Sequence, residues 1–371
     1  MIVGAGRESK KDERRVALDP ITVGKLVKSG VSVHIEKDAG LEASFTNADY
    51  EKAGARLLDA QMLYNTSDVI LRIHTPSLEE ISHLKNKVMV VGLLDPFHHL
   101  EHLQKFAEKK ITAFALELLP RISRAQTMDV LSSQASLAGY KAVILAAATL
   151  GKYFPMLTTA AGTMPPAKVL VIGAGVAGLQ AIATAKRLGA VVEAYDIRPE
   201  VKEQIESLGA KAISIEVSEG VSAQSGYAKV VSQSTQEKIQ QMLTNHVQKS
   251  DVLITTAFVP GKKAPRIVTE AMVDRMNSGS VIVDLATEQG GNVAYAQPGE
   301  NILHQGVTIL GPLNLPATMP IHASQMFAKN LLTFLNHVVK SGAPVIDFKD
   351  EIMASSCVTH EGVIRLPEEK K

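Results

Sequence analysis

Several residue types that mark specialised protein classes are scarce in this 371-residue chain. It has one cysteine, Cys357, and no tryptophan, and its formal net charge is only +1. A single cysteine excludes an internal disulfide framework and favours a reducing compartment. The balanced charge excludes the basic footprint of nucleic-acid binding. No cluster of thiols and imidazoles predicts a metal site.

The sequence also shows no pattern typical of a secretory signal or of a membrane-spanning helix. The opening residues, MIVGAGRESK, soon become charged, so we expect no secretory signal. The most apolar stretch, 169–185, is glycine-rich and shorter than the roughly 20 residues that a spanning helix needs. We therefore predict no direct membrane insertion, and any connection with a membrane must come through a partner.

The composition that is present is that of an ordinary globular protein. Hydrophobic residues make up 46% and charged residues 21% of the chain, and its length favours two domains. Short apolar runs alternate with helical patterns, which predicts an α/β fold of two doubly wound parallel-sheet domains joined by long helices. We place the N-terminal domain at 1–135 plus 320–371. The second, a Rossmann domain, is placed at 136–319.

Some local elements are predicted less directly. In the second domain we expect six strands, and in the first we expect one continuous helix over 47–58. The segment 153–166 is interpreted as a plain connection between the domains. The tail after Gly342 gives no structural signal.

The strongest motif lies in the stretch 168–199. An apolar strand is followed at once by Gly173, Gly175 and Gly178 in the pattern G-x-G-x-x-G, and then by a helical pattern. The first glycine permits the tight turn, the second lets a pyrophosphate approach the backbone, and the third lets helix and strand pack closely. The alternative is a set of glycines that only permit close packing. The flanking strand and helix favour dinucleotide binding at the helix N-terminus.

Asp196 ends the second strand of this unit and bears on the choice of nucleotide. A carboxylate at that place accepts hydrogen bonds from the ribose hydroxyls and repels a 2′-phosphate, which favours NAD(H) over NADP(H). Arg198 lies two residues further along and favours phosphate. Because Asp196 is the better-placed residue, we predict NAD(H).

One polar stretch is a candidate for the nicotinamide end, which lies beyond the carboxyl ends of the strands in such folds. It contains Arg121, Gln126, Asp129 and Ser132. Gln126 and Asp129 share a helical face if a helix has begun there, and an amide with a carboxylate can satisfy a carboxamide and a ribose. Arg121 can pair with Asp129 or with phosphate. The alternative is a solvated loop followed by a helix N-cap.

Three further segments complete the candidates. The stretches 255–260 and 284–292 each follow a strand, and Glu288 in the second is either a general base or a structural residue. The segment 218–233 is long for a loop, so it is either a functional lid or disordered. No histidine has an obvious orienting partner, and none is named as catalytic.

Six motifs together resemble one known family. They are RRVALDP at 14–20, RISRAQTMD at 121–129, GAGVAGLQAIATAKRLGAVVEAYDIR at 173–198, TTAFVPGKKAP at 255–265, VIVDLATEQGGN at 281–292 and NLPATMPIHAS at 314–324. They resemble the NAD(H)-binding alpha component of proton-translocating nicotinamide nucleotide transhydrogenase, in the form without fused membrane helices. The resemblance covers nearly the whole chain.

The resemblance implies direct hydride transfer from NADH, bound here, to NADP⁺ on a partner subunit, coupled to proton translocation. It implies catalytic positions at Arg121, Gln126, Asp129 and Ser132, and a mobile loop at 218–232. It implies cofactor binding by Gln126, Thr127, Met128, Asp129, Gly173, Gly175, Val176, Gly178, Asp196, Ile197, Arg198, Gly226 and Tyr227. Direct transfer between two nicotinamides needs positioning rather than a proton shuttle, which agrees with the lack of an obvious acid–base pair.

The resemblance also implies a homodimer that lies on the cytoplasmic face of the inner membrane as a peripheral protein. Its partners would be the NADP(H)-binding and membrane-spanning transhydrogenase subunits, with no nucleic acid involved.

Two other functions are weighed against this one. Alanine dehydrogenase shares much of the pattern, but it needs an arginine, a lysine, a histidine and an aspartate for a keto acid. Arg15 suits the first role, whereas His74 stands at the lysine position and Glu288 at the aspartate position. A non-enzymatic NAD-sensing subunit would need the fold but not the RISRAQTMD segment.

Overall fold

The computed structural model describes residues 1–214, 233–258, 263–340 and 342–366. Its internal contacts divide the chain into two compact units. The first unit consists of Met1–Gln134 and Pro316–Lys371, and the second unit is Ala135–Leu315. The division within the N-terminal half falls inside a single long helix.

The strands are numbered in chain order. They are β1 Ile2–Ala5, β2 Ser32–Glu36, β3 Arg56–Leu58, β4 Val69–His74, β5 Met89–Leu93, β6 Thr112–Ala115, β7 Leu157–Thr159, β8 Gly162–Met164, β9 Lys168–Ile172, β10 Val191–Tyr195, β11 Lys211–Ile213, β12 Val252–Thr255, β13 Val281–Asp284, β14 Asn301–His304, β15 Val307–Leu310, β16 Val339–Lys340, β17 Ala343–Pro344, β18 Cys357–His360 and β19 Val363–Ile364.

The α-helices are numbered in the same way. They are α1 Pro20–Lys28, α2 Asn47–Lys52, α3 Ala60–Thr66, α4 Leu78–His83, α5 Leu100–Glu108, α6 Val130–Thr149, α7 Val176–Arg187, α8 Lys202–Ser207, α9 Gln233–Gln248, α10 Glu270–Val273, α11 Pro320–Val338 and α12 Glu351–Ser356.

The first unit is built on an eight-stranded sheet in the order β19-β18-β6-β5-β4-β1-β2-β3. Strands β1 to β6 are parallel, whereas β18 and β19 extend the sheet antiparallel beyond β6. The expectation that the tail carries no structural signal is therefore wrong. Its strand pattern is obscured because the buried residue Thr359 is polar and its hydroxyl donates to the Ile111 carbonyl.

The second unit is built on a seven-stranded sheet in the order β11-β10-β9-β12-β13-β15-β14. The first six strands in that order are parallel and have the arrangement of a dinucleotide-binding fold. The prediction of six strands missed β14, an antiparallel edge strand. It is joined to β15 by Gln305 and Gly306, which both have positive φ, and its apolar Leu303 is 73% exposed.

Two local predictions were also wrong. The helix expected over 47–58 ends at Lys52, because Gly54 adopts φ +95° and redirects the chain into β3. The connection expected at 153–166 contains a hairpin of β7 and β8. The long helices at 130–149 and 320–338 confirm the expected pattern of small and apolar residues.

Helix α6 corrects the expectation that no segment is long and apolar enough to span a membrane. It has 20 residues, and its most apolar 18-residue window has a mean hydropathy of 1.2 and is 39% buried inside the protein. The core helices of soluble proteins can have the same length and composition, and α6 packs closely on α7. A Cβ on Gly139 would lie 2.0 Å from the Ala177 carbonyl oxygen, which places the backbones of α6 and α7 in direct contact.

A buried ion network lies beneath the N-terminal loop of the first unit. Arg72 is fully buried, and its Nη1 donates to Tyr64 Oη at 2.8 Å and to Glu80 Oε1 at 2.6 Å. Its Nε lies 3.4 Å from Glu8 Oε1, and Glu8 also accepts the Ile73 N–H. Burial raises the pKa of Glu80, but the charge of Arg72 and the hydrogen bonds from Ser77, Arg72 and Ser9 together outweigh burial and hold that pKa at about 2.

Replacing Arg72 with methionine should destabilise the protein by about 3–5 kcal/mol, because one buried and one part-buried carboxylate lose their cation. Urea unfolding followed by far-ultraviolet circular dichroism measures the change. The matched control is Arg56→Met, on the exposed face of β3, which should change stability by less than about 0.5 kcal/mol. Equal effects of the two substitutions would contradict a structural role for the network.

Candidate functional site

The three glycines of the fingerprint have distinct surroundings in the second unit. Gly173 follows β9 and has φ +94°, which a side chain disfavours. A Cβ on Gly178 would lie 1.8 Å from the Gly173 carbonyl oxygen, so α7 can approach the turn only with glycine there. A Cβ on Gly175 would meet no atom of the described residues within 4 Å. Packing among these residues therefore does not require Gly175 to be glycine, which agrees with a role in ligand approach.

The N-terminus of α7 is suited to an anion. Gly175 is the N-cap and supplies no side-chain acceptor, and no acidic residue lies in the first turn. Val176, the first helical residue, is 44% exposed. The first N–H groups of α7, which the helix itself cannot pair, and the positive end of the helix dipole can therefore stabilise a phosphate there.

Asp196 follows β10 next to this turn. Its Oδ2 accepts the Ala174 N–H at 2.7 Å, and its Oδ1 accepts the Arg198 N–H at 2.9 Å. The Arg198 guanidinium adds two bonds, from Nε at 2.9 Å and from Nη2 at 3.0 Å. Burial raises the pKa of Asp196, but the bonds from Arg198 and Ala174 outweigh burial and hold that pKa below its usual value. Ile197, between them, is 52% exposed.

Two neighbouring strand ends brace the glycine turn, and sequence reasoning missed the residues that do so. The Thr256 hydroxyl donates to the Gly173 carbonyl at 2.9 Å. The Asn292 amide accepts the Ala257 N–H at 2.9 Å and donates to the Ala257 carbonyl at 2.7 Å. The buried Asp284 carboxylate accepts the Asn292 N–H at 2.7 Å. The signal in the sequence was a polar residue directly after each of two apolar strands.

The second group of predicted residues lies in the first unit, just before α6. Gln126 lies in a 3₁₀ helix, Ser123–Met128, which Asp129 follows, and α6 begins only at Val130. The two residues therefore do not meet the condition for sharing a face of α6. Asp129 caps the helix instead: its carboxylate accepts the Ser132 N–H at 2.9 Å and the Ser132 hydroxyl at 2.6 Å. The partner shown for Asp129 is thus Ser132 and not Arg121.

The backbone of the RISRAQTMD segment is fixed by the core of the first unit, while some of its polar side chains are exposed. Met128 is buried in the core of the first unit, and the Thr127 carbonyl accepts a hydrogen bond from the Asn330 side chain at 2.8 Å. The side chains of Arg121 and Gln126 are exposed. The segment therefore presents an arginine, an amide and a carboxylate–hydroxyl pair from a fixed backbone. Two other predicted residues, Gly226 and Tyr227, lie outside the described residues.

The polar residues weighed for a keto acid form a separate buried cluster in the first unit. The Arg15 guanidinium bonds both oxygens of Glu13, at 2.8 and 2.6 Å, and the Gln134 side chain at 2.8 Å. His74 Nε2 lies 2.7 Å from Glu13 Oε2, so this histidine has the partner that sequence reasoning did not find. Glu288, by contrast, is exposed.

Glu117 is a further carboxyl group that sequence reasoning missed. It follows β6, just before the RISRAQTMD segment, and its Oε1 accepts the Asp95 N–H at 2.5 Å. Its Oε2 is buried and has no hydrogen-bond partner among the residues that the structure describes. Burial raises the pKa of Glu117 to about 7, against the opposing effect of the backbone hydrogen bonds it accepts.

A parallel sheet with a braced G-x-G-x-x-G turn, in a chain that carries a second α/β unit, defines a nucleotide-binding protein of the dehydrogenase class. The protein-family model "Alanine dehydrogenase/PNT, N-terminal domain" matches residues 4–138. The model "Alanine dehydrogenase/PNT, C-terminal domain" matches residues 142–367. The chain belongs to the alanine dehydrogenase/PNT family.

Individual relatives refine this assignment. The chain is 44% identical to an NAD(P) transhydrogenase alpha subunit of Rhodospirillum rubrum, covering 99% of this chain and 98% of that protein. A solved transhydrogenase from Sinorhizobium meliloti superposes with a TM-score of 0.87 at 44% identity, covering 99% of each chain. A solved L-alanine dehydrogenase superposes with a TM-score of 0.82 at 27% identity, covering 99% of this chain and 97% of the other. The predicted α/β fold class and the resemblance to the transhydrogenase alpha component are confirmed.

Replacing Glu117 with glutamine should stabilise the protein at pH 8 and leave it nearly unchanged at pH 4.5. The folded pKa of about 7 exceeds the unfolded value of about 4.3. The folded state therefore binds more protons between these values, and wild-type stability falls as pH rises through that window. The loss, of order 3 kcal/mol, is absent in the variant.

Denaturant unfolding at pH 4.5 and pH 8 measures this difference. The exposed residue Glu101 provides the matched control, since Glu101→Gln should behave alike at both pH values. A Glu117→Gln variant with the same stability difference at both pH values would show that this carboxyl group does not titrate in that window.

Proposed function

We propose that this chain is the NAD(H)-binding component of a proton-translocating transhydrogenase, and that it passes hydride directly from NADH to NADP⁺ on a partner subunit. The observation that carries the proposal is the Asp129–Ser132 pair, held at the start of α6 beside the exposed Gln126. This arrangement positions a carboxamide without supplying an acid–base pair. The identity to transhydrogenase alpha subunits along the whole chain supports it.

The described residues fit a dinucleotide at the adenosine end. The space beside Gly175 and the N–H groups of α7 suit the pyrophosphate, at Gly175 and Val176. Asp196 and its neighbours Ile197 and Arg198 lie where the adenosine ribose is expected, and the Asp196 carboxylate favours NAD(H) over NADP(H).

At the nicotinamide end, bound NADH would supply a hydride from its reduced ring. The protein's own contribution is positioning. Asp129 accepts from the carboxamide nitrogen while Ser132 keeps the carboxylate in place, and Gln126 offers both a donor and an acceptor. Arg121 is assigned to a phosphate or ribose oxygen. The predicted contacts at Gly226 and Tyr227 stay part of the proposal, as a loop that excludes water over the nucleotide.

The same proposal includes the partners and the location. The NADP(H)-binding and membrane-spanning transhydrogenase subunits would be the partners, and the chain would lie on the cytoplasmic face of the inner membrane. A homodimer is supported by the hairpin of β7 and β8 and the residues just before it, where Tyr153, Met156 and Met164 are exposed by 59, 64 and 46%. Such an apolar surface is typical of an interface. The two compact units would be the N-terminal and the Rossmann domains.

The purified chain should bind NADH and should not oxidise it when pyruvate and ammonium are added. NADH fluorescence reports binding without interference, because the chain has no tryptophan, and absorbance reports oxidation. Adding the NADP⁺-loaded partner domain should then start NADH oxidation. Rapid oxidation with pyruvate and ammonium alone would instead identify an alanine dehydrogenase.

Ser132→Ala provides a direct check on the positioning pair in this assay. It should slow partner-dependent transfer about ten- to a hundredfold, since the Asp129 carboxylate loses the hydroxyl that orients it. Ser133→Ala is the matched control, because that hydroxyl donates only to the Val130 carbonyl in the described structure. Similar rates for the two variants would contradict the assigned role of Ser132.

Two glycine substitutions in the G-x-G-x-x-G fingerprint test its role in nucleotide binding and its role in packing separately. Gly175→Ala should leave the melting temperature nearly unchanged and weaken NADH binding at least about tenfold, because its Cβ fills the phosphate space. Gly178→Ala should destabilise the protein by about 1–3 kcal/mol or more, because its Cβ meets the Gly173 carbonyl. Unchanged NADH affinity in Gly175→Ala would contradict a binding role for Gly175 and would show that the glycines of the fingerprint serve packing only.

A further inference from the structure

The Asp196 carboxylate is already saturated with donors. An ionised carboxylate has about four acceptor sites on its two oxygens. The Ala174 N–H, the Arg198 N–H and the Nε and Nη2 groups of Arg198 supply four hydrogen bonds between 2.7 and 3.0 Å. A ribose hydroxyl that donates to Asp196 must therefore displace one of them.

The four donors differ in how readily they can leave. Two are backbone N–H groups whose positions are set by the glycine turn and by the turn after β10. The other two belong to the Arg198 side chain, which is 46% exposed, whereas the Asp196 side chain is only 7% exposed. A half-exposed guanidinium is easily hydrated when it moves away, so its bonds are the ones that a nucleotide can replace.

We propose that Arg198 is an internal competitor for the ribose site, which occupies Asp196 until a nucleotide displaces it. The inference rests on the proposed NAD(H) binding and changes the role of Arg198 from ribose ligand to specificity-determining residue. Removing the guanidinium strengthens NADH binding, because Asp196 is then free to accept the ribose hydroxyls.

Displacement also places a cation near the 2′ position of the ribose. A guanidinium released from Asp196 stays tethered two residues away and pairs well with phosphate. Arg198 therefore lowers the affinity for NADH and raises the affinity for NADPH. It thus reduces the preference for NADH over NADPH that Asp196 produces. A purely structural Arg198, which only orders the turn before Pro199, would have the opposite effect on NADH, since its loss would disorder the ribose site.

The test compares Arg198→Met and Arg198→Lys with the wild type, by fluorescence titration of NADH and NADPH into the full chain. Arg198→Met should bind NADH about two- to fivefold more tightly and NADPH more weakly, and the lysine variant should lie between. Arg187→Met, at the exposed end of α7, is the matched control and should change neither affinity. Unchanged or weaker NADH binding in Arg198→Met would overturn the inference.

A double-mutant cycle ties the effect to the carboxylate. In an Asp196→Ala background, Arg198→Met should give no gain in NADH affinity, because no acceptor is left to release. A gain of the same size in that background would also overturn the inference. Tighter NADH binding by the methionine variant, without any partner-dependent transfer, would uphold the inference while refuting the transhydrogenase function. If neither wild type nor Arg198→Met binds NADH, both fail.

Discussion

The approach of α7 to the end of β9 is the contact on which the nucleotide-binding unit depends. Gly178 lies so close to the Gly173 carbonyl that no side chain fits between them. This closeness leaves the first N–H groups of α7 facing the space beside Gly175, where an anion is stabilised. The same carbonyl accepts the Thr256 hydroxyl, so the turn is fixed from the neighbouring strand as well. Packing and binding are thus produced by one backbone arrangement, in which only Gly175 is not required by packing.

The first unit differs from the second in that it buries charged side chains, which must therefore be paired with one another. Arg72 is fully buried between Glu8 and Glu80, and removing one member of such a network leaves the others uncompensated. The cluster of Arg15 and Glu13 shows the same pattern of mutual neutralisation. An arginine whose Nε and Nη2 bond a buried glutamate, and whose Nη1 bonds Gln134, has most of its donors engaged inside the protein, which disfavours binding of a substrate carboxylate. This agrees with the 27% identity to alanine dehydrogenase against 44% to transhydrogenase.

The sequence predicted the parts of this protein that have a strong local period. The glycine turn, the long helices and the parallel strands other than β3 each have apolar residues or glycines at fixed spacing, and they lie where expected. The edge strand β14 and the antiparallel strand β18 were missed because they have polar or exposed residues and are stabilised by distant pairing partners. The partners of polar groups were missed for the same reason: His74 is 61 residues from Glu13, and Asn292 is 35 residues from Ala257. Residue propensity and spacing predict local secondary structure. Which polar groups form hydrogen bonds with each other depends on the tertiary fold, which brings distant residues together.

The two carboxylates assigned to the nucleotide differ in one physical respect that determines how each can bind. Asp129 is held by the neutral donors of Ser132, so its charge is retained and its geometry is fixed before a ligand arrives. Asp196 is held by a cation as well as by N–H groups, so part of its attraction is already used. In the proposed binding mode, a nucleotide must break an ion pair at Asp196 but none that the described residues show at Asp129, so the nicotinamide end would be preorganised while the adenosine end exchanges partners. Specificity would then be set at Asp196, where the exchange occurs, and positioning for hydride transfer would be set at Asp129, where no exchange is needed.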